Sequence, residues 1–164
     1  MSNWLRFFLT FLSSVFRSKQ SLSEEFKISL WVWVTDADLQ FVNESRYMCF
    51  LEMGRLDLMI RTGFIWKLIK EKIHAPVASL KISFLRPLRR WQKIEVHSRI
   101  EYHDEKWIFI RQKIVYKNKI MSEAAVKATL RKGKTTLSLE KVLKEMKLQA
   151  LNLERPLGLE SSSL

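Results

Sequence analysis

At 164 residues and 47% apolar composition, the chain has the size and content of one domain with a modest core, and neither figure fits a disordered state. One cysteine, Cys49, excludes an internal disulfide and a Cys-rich metal site, and His74, His97 and His103 are too scattered to build a structural zinc, so no metal and no cofactor is expected. The formal charge of +12 favours anionic partners such as polyphosphates, nucleic acid or an anionic membrane face, and says nothing direct about fold.

The opening segment carries Trp4, Leu5, Phe7, Phe8, Leu9, Phe11, Leu12, Val15 and Phe16 with Arg6, Arg17 and Lys19 and no acidic residue. Its apolar part is too short and too interrupted to span a bilayer, which takes about 20 apolar residues. It also lacks the small-residue cleavage site of a secretory signal. Aromatic residues flanked by cations suit an interfacial helix, in peripheral membrane contact through residues 3–17, or a lid packed on the domain. A terminal helix that joins the core or a dimer contact is the plainer alternative. The expected location is the cytoplasm, with or without membrane association.

After a polar link from Ser18 to Glu25, FKISLWVWV reads as a first strand. Residues 46–70 then place Tyr47, Phe50, Leu51, Leu58 and Phe64 at helical spacing, and the apolar stripe is wide enough for a helix covered on more than one side. Gly54 in its middle costs about 1 kcal/mol of helix propensity, which is tolerable where another element comes close.

From residue 77 the period changes. VASLKISFLR predicts a strand ending before Pro87, IEVHSRIEY alternates with Ile94, Val96, Ser98, Ile100 and Tyr102 on one face, and KWIFIRQKIVY predicts a third strand. IMSEAAVKATL predicts a fourth, with the small residues Ser122, Ala124 and Ala128 leaving room for a bulky element against the sheet. Ser138 is placed to cap a last helix with Leu139, Val142, Leu143 and Met146. The expected organisation is an N-terminal helix or lid over residues 1–25, a folded domain over 26–150 and a frayed tail over 151–164. Strands joined by hairpins, with no helix between them, predict an α+β fold with an antiparallel sheet and disfavour a doubly wound parallel one.

That order, together with TDADLQFVNESRY, FLEMGRLDLMIRTG and ISFLRPLRRWQKIEVHSRI, resembles the hotdog-fold acyl-CoA thioesterases of the 4-hydroxybenzoyl-CoA thioesterase-like family, roughly from Phe26 to Arg131. The resemblance implies a sheet curled around a long central helix, a homodimer or a tetramer of paired dimers, and active sites shared between subunits. It also implies an acyl-CoA or acyl-carrier thioester as substrate. Members of the family commonly carry Asp-x-Asp-x-x-x-His-x-Asn-Asn ahead of a helical Tyr. Asp36, Asp38, Asn43 and Tyr47 match that pattern, Glu44 stands at the second Asn, and the interval from Asp38 to Asn43 is one residue short. Phe41 therefore either replaces the His or precedes its deletion.

Thioester hydrolysis needs a nucleophile and a receiver for the charge that develops on the carbonyl oxygen. Asp38 is the candidate base or nucleophile, and the unpaired amides at the start of the long helix, near Glu44 or Ser45, are the candidate oxyanion site. Asp36 is expected to hold the loop through backbone N–H groups, and Asn43 to cap the helix. Glu44 either favours the helix N-terminus or perturbs Asp38. Tyr47, Phe50 and Met53 either line an acyl channel or pack the core. Glu52 and Arg55 are spaced to pair; the resemblance offers Glu52 instead as a second candidate acid facing the partner subunit's pocket, since some related hotdog enzymes place their carboxylate on this helix.

Arg86, Arg89 and Arg90 are candidates for CoA phosphates, and Arg131, Lys132 and Lys134 form a second basic cluster; a solvated basic face is the plainer reading of both. No RNA-binding aromatic signature or recognition helix accompanies the charge, so no specific nucleic acid is expected. The alternative to an enzyme is an acyl-CoA or acyl-carrier binding protein that does not hydrolyse.

Overall fold

The computed structural model describes residues 3–18 and 21–146, so the tail expected over 151–164 lies outside the described residues. Helix α1 (Asn3–Val15) leads to strand β1 (Phe26–Trp31), which stops short of the expected Val34 because Val34–Asp36 wind into a 3-10 turn. The two-residue strands β2 (Ala37–Asp38) and β3 (Phe41–Val42) form a small hairpin, and the long helix α2 (Glu44–Arg61) follows.

The helix expected over 46–70 is two helices. At the end of α2 the Thr62 hydroxyl donates to the Leu58 carbonyl, and Gly63 takes φ 75°, a left-handed conformation that costs glycine nothing. Helix α3 (Phe64–Glu71) therefore starts in a new direction.

Strands β4 (Val77–Phe84), β5 (Lys93–His103), β6 (Ile108–Tyr116) and β7 (Lys119–Ala128) complete an antiparallel sheet in the order β1-β5-β6-β7-β4. The expectation that these strands follow one another by hairpins fails at one point. Strand β4 lies at the far edge, paired with β7 from Phe84↔Ser122 to Val77↔Ala128, and the chain crosses the sheet to reach β5. A small hairpin of β8 (Leu130–Lys132) and β9 (Thr135–Leu137) carries the second basic cluster. Helix α4 (Leu139–Glu145) follows, its first turn capped by the Ser138 side chain as expected.

The sheet wraps α2, which is the hotdog arrangement. Residues at alternate positions of β5, β6 and β7 reach inward, and the core divides into two clusters along the helix. Around its N-terminal half lie Tyr47, Phe50, Leu51, Ile28, Val96, Ile114 and Leu88; around its C-terminal half lie Leu58, Phe26, Ile100, Ile108, Leu130 and Leu143.

A polar layer separates the clusters. The Gln112 side-chain amide donates to the Leu51 carbonyl at 2.9 Å and to Ser98 Oγ at 2.7 Å, while its carbonyl accepts from Arg55 Nη1 at 2.8 Å. Every strong hydrogen-bonding group of this fully buried side chain is engaged, which offsets its removal from water. Gly54 sits at this layer, where a Cβ would lie 2.7 Å from both Ser98 Oγ and Val96 Cγ1.

The opposite side of α2 is covered by α1. Buried Asp57 accepts the Ser14 hydroxyl at 2.6 Å, and Arg61 and Arg17 approach it at 3.4 and 3.9 Å. The wide stripe read from the sequence thus serves two neighbours. Gly54→Ala is expected to lower stability by about 1–3 kcal/mol, because overpacking against β5 outweighs the gain in helix propensity. A urea midpoint equal to or above that of the parent chain would contradict it.

Candidate active site

The loop from Trp33 to Asn43 is built by its acidic and amide side chains. Asp36 is buried; its carboxylate accepts the Trp33 N–H at 2.8 Å and pairs with Arg46 Nε at 3.8 Å. Its carbonyl also accepts the Asn43 N–H at 3.2 Å, so Asp36 ties both ends of the loop together. This is the holding role expected of it.

Asp38 differs from Asp36 in every respect that matters to chemistry. It is exposed, opposes Phe41 in the β2–β3 hairpin, and accepts one hydrogen bond from Asn43 Nδ2 at 2.9 Å. The shortened interval closes as a two-residue turn with Leu39 at φ 58° and 90% exposed, a backbone conformation that costs a non-glycine residue about 1 kcal/mol or more. Phe41 takes no polar role: it is exposed, with the Arg89 guanidinium 5.3 Å over its ring.

Asn43 joins the carboxylate to the helix. Its side-chain oxygen accepts the Ser45 N–H at 3.0 Å as the N-cap of α2, while its amide nitrogen donates to Asp38. The expectation of several free amides at this helix start is corrected by the same geometry. Ser45 N–H goes to the Asn43 side chain and Arg46 N–H to the Asn43 carbonyl, which leaves the Glu44 N–H as the one of the first three without a partner among the described residues.

Tyr47, Phe50 and Met53 do not share one channel. Tyr47 lines a cavity of about 310 Å³ with Val42, Glu44, Phe84, Arg86 and Pro87. Phe50 and Met53 line another of about 400 Å³ on the α1 side, with Leu9, Leu30 and Trp33. Both cavities border α2, the first at Glu44 and Tyr47 in its opening turn and the second at Phe50 and Met53 further along. Asp38 lines neither, and its side chain faces solvent at the rim of the loop.

Tyr47 is also structural. Its hydroxyl accepts the Leu88 N–H at 2.8 Å and its ring meets Phe84 edge-on at 5.0 Å. Burial, with the nearby Glu44 carboxylate, raises its pKa against the opposing effect of the Leu88 hydrogen bond. The expected Glu52–Arg55 pair is replaced by the Arg55–Gln112 bond; burial lowers the Arg55 pKa and the Glu52 charge opposes that shift.

The three arginines do not converge. Arg86 donates to the Ile120 carbonyl at 2.7 Å and lines the Tyr47 cavity, Arg89 lies over Phe41, and Arg90 is exposed. Sequence reasoning missed Leu88, Phe84 and the Trp33–Trp91 edge contact at 6.0 Å. The apolar Leu88 after Pro87 in an otherwise basic stretch was the signal for the first of them. No group of three or more His, Cys, Asp or Glu among the described residues is placed to hold a metal ion.

An antiparallel sheet wrapped around one long helix defines a protein of the hotdog fold. The family model of the thioesterase-like superfamily matches residues 32–145, and the chain belongs to that superfamily. A probable thioesterase of Saccharomyces cerevisiae is 31% identical over 100 residues, which are 58% of this chain; the chain spans 43% of the length of that curated relative.

Solved structures share the fold. A probable thioesterase from Bartonella henselae is 24% identical with a TM-score of 0.65, covering 71% of this chain and 99% of its own. A probable thioesterase from Escherichia coli is 20% identical with a TM-score of 0.68, covering 74% and 96%. A thioesterase from Thermus thermophilus, solved with coenzyme A and zinc, is 17% identical with a TM-score of 0.64, covering 73% and 88%.

Tyr47→Phe removes the acceptor of a buried amide, and leaving such a donor unpaired costs about 1–3 kcal/mol. Thermal unfolding is expected to show a correspondingly lower midpoint; an unchanged midpoint would mean that Leu88 finds another acceptor.

Proposed function

We propose that the chain hydrolyses acyl-CoA thioesters to a free acid and CoA, with Asp38 as the base. One observation carries this reading: Asn43 holds the exposed Asp38 carboxylate and caps α2 with the same side chain, so the acid and the helix start are fixed relative to each other. The coenzyme A seen in the Thermus relative supports the substrate class.

In this mechanism Asp38 takes a proton from water as the water oxygen bonds to the thioester carbonyl carbon. Charge then develops on the carbonyl oxygen, where the Glu44 N–H and the positive end of α2 favour it. Collapse of the adduct breaks the C–S bond, and the departing thiolate recovers the proton from Asp38. Direct attack by the carboxylate, giving a mixed anhydride that water then opens, uses the same two groups. Arg86, Arg89 and Arg90 bind the CoA phosphates as separate contacts along the connection that follows β4.

The site is completed in a homodimer formed at β4. The outer edge of this strand has no partner among the described residues, and Val77 and Phe84 at its two ends are exposed apolar side chains. Two-fold antiparallel pairing sets the Val77 end of one chain against the Phe84 end of the other. Phe84 already walls the Glu44–Tyr47 cavity, so this pairing carries partner residues to its mouth.

Asp38→Asn is expected to reduce turnover of a panel of acyl-CoAs by roughly 100-fold or more while leaving their binding intact. Absence of turnover in the parent chain, with tight acyl-CoA binding in both, would replace the enzyme with a binding protein, a reading that the lack of a His between Asp38 and Asn43 favours. Glu44→Asn is expected to change kcat/KM with little change in unfolding midpoint, because Glu44 is exposed at the rim of the cavity. Identical kinetics in the two proteins would remove Glu44 from the site.

A further inference from the structure

Helix α1 is turned around relative to an ordinary surface helix. Leu5, Phe8, Leu12 and Val15 follow helical spacing on one face, and that face is the outer one: each is between 43% and 61% exposed, and Phe16 beyond them is 81% exposed. Among the described side chains, those turned inward are buried Thr10 and Ser14, the latter bonded to Asp57, with half-buried Phe11 beside them. The polar contact fixes the orientation of the helix, so its apolar stripe cannot simply roll inward without breaking it.

Helix α3 extends the same surface. Phe11 meets Trp66 edge-on at 6.1 Å, Trp66 is 53% exposed, and Ile69, one turn further, is 62% exposed. Scattered exposed apolar side chains are ordinary, whereas a contiguous face of this kind marks an interaction surface.

Charge decides what covers it. Arg17 flanks the end of α1, and exposed Lys70 and Lys72 follow Ile69 at the end of α3. No acidic residue precedes Glu24, and the whole chain carries +12. A second copy seated on this face would bring identical cationic borders together, while an anionic lipid surface complements them. Neither helix is long and apolar enough to cross a membrane, so the geometry suits helices lying in the interfacial plane.

We propose that the outer faces of α1 and α3 form a docking surface for an anionic lipid bilayer, with Phe8, Leu12, Trp66 and Ile69 entering the interface and Lys70 and Lys72 meeting the headgroups. This surface is independent of the thioester reading, since none of these residues borders the Asp38 loop.

The test is sedimentation of the full chain with vesicles of phosphatidylcholine alone and of phosphatidylcholine mixed with phosphatidylglycerol. Binding is expected on the mixed vesicles, weakening as salt is added. Lys70→Glu with Lys72→Glu should lower that affinity by roughly tenfold or more. Phe8→Glu with Leu12→Glu should abolish it, with unfolding midpoint and oligomeric state unchanged because both side chains are exposed. Failure of the parent chain to bind the mixed vesicles, or equal binding by the Phe8 and Leu12 variant, overturns the proposal. So does a parent assembly that the same variant dissociates while vesicles stay unbound, which assigns the face to a second copy.

Discussion

The structure depends on the close approach of α2 to β5 at Gly54. Where a side chain would stand there is instead Val96 and Ser98, and the same level holds the Gln112 amide that spans β6, β5 and the helix backbone. A sheet can wrap a helix this tightly only if the helix has no Cβ at the point of contact and the buried amide has partners for all its strong groups. The two apolar clusters on either side supply the bulk of the burial, but this layer sets the depth and register at which they pack.

From that placement the candidate chemistry follows. With α2 held in the sheet, its N-terminus emerges beside the β2–β3 hairpin, and Asn43 links that terminus to Asp38. The two aspartates of the loop then divide their tasks by environment. Asp36, buried and held by the Trp33 N–H and the Arg46 charge, is committed to structure; Asp38, with one side-chain hydrogen bond and open access, keeps acceptor capacity for a proton or an electrophile.

The N-terminal helix extends the same logic to the surface. Asp57 on α2 would be a costly buried carboxylate without donors; Ser14 and Arg61 supply them, and the Arg17 guanidinium adds its charge at 3.9 Å. Satisfying Asp57 orients α1 with its polar residues inward, which leaves Phe8, Leu12 and their neighbours outside. An exposed apolar face is thus the counterpart of a buried polar contact.

Much of this was legible in the chain itself. Period-two alternation in residues 94–102 and the small residues of 120–130 located the strands and their inner faces, since a pleated sheet buries every second side chain. Ser138 marked the last helix, and the Asp36–Asp38–Asn43 spacing marked the loop, because short polar side chains bond their local backbone wherever they occur. Contacts that join distant segments were not legible. The edge position of β4, the break at Gly63, the separation of Tyr47 from Phe50 and Met53, and the outward turn of α1 were decided by tertiary structure. Each rests on partners far apart in sequence, such as Ser122 for Phe84, Leu88 for Tyr47 and Asp57 for Ser14, and local periodicity carries no record of which surface a residue will meet.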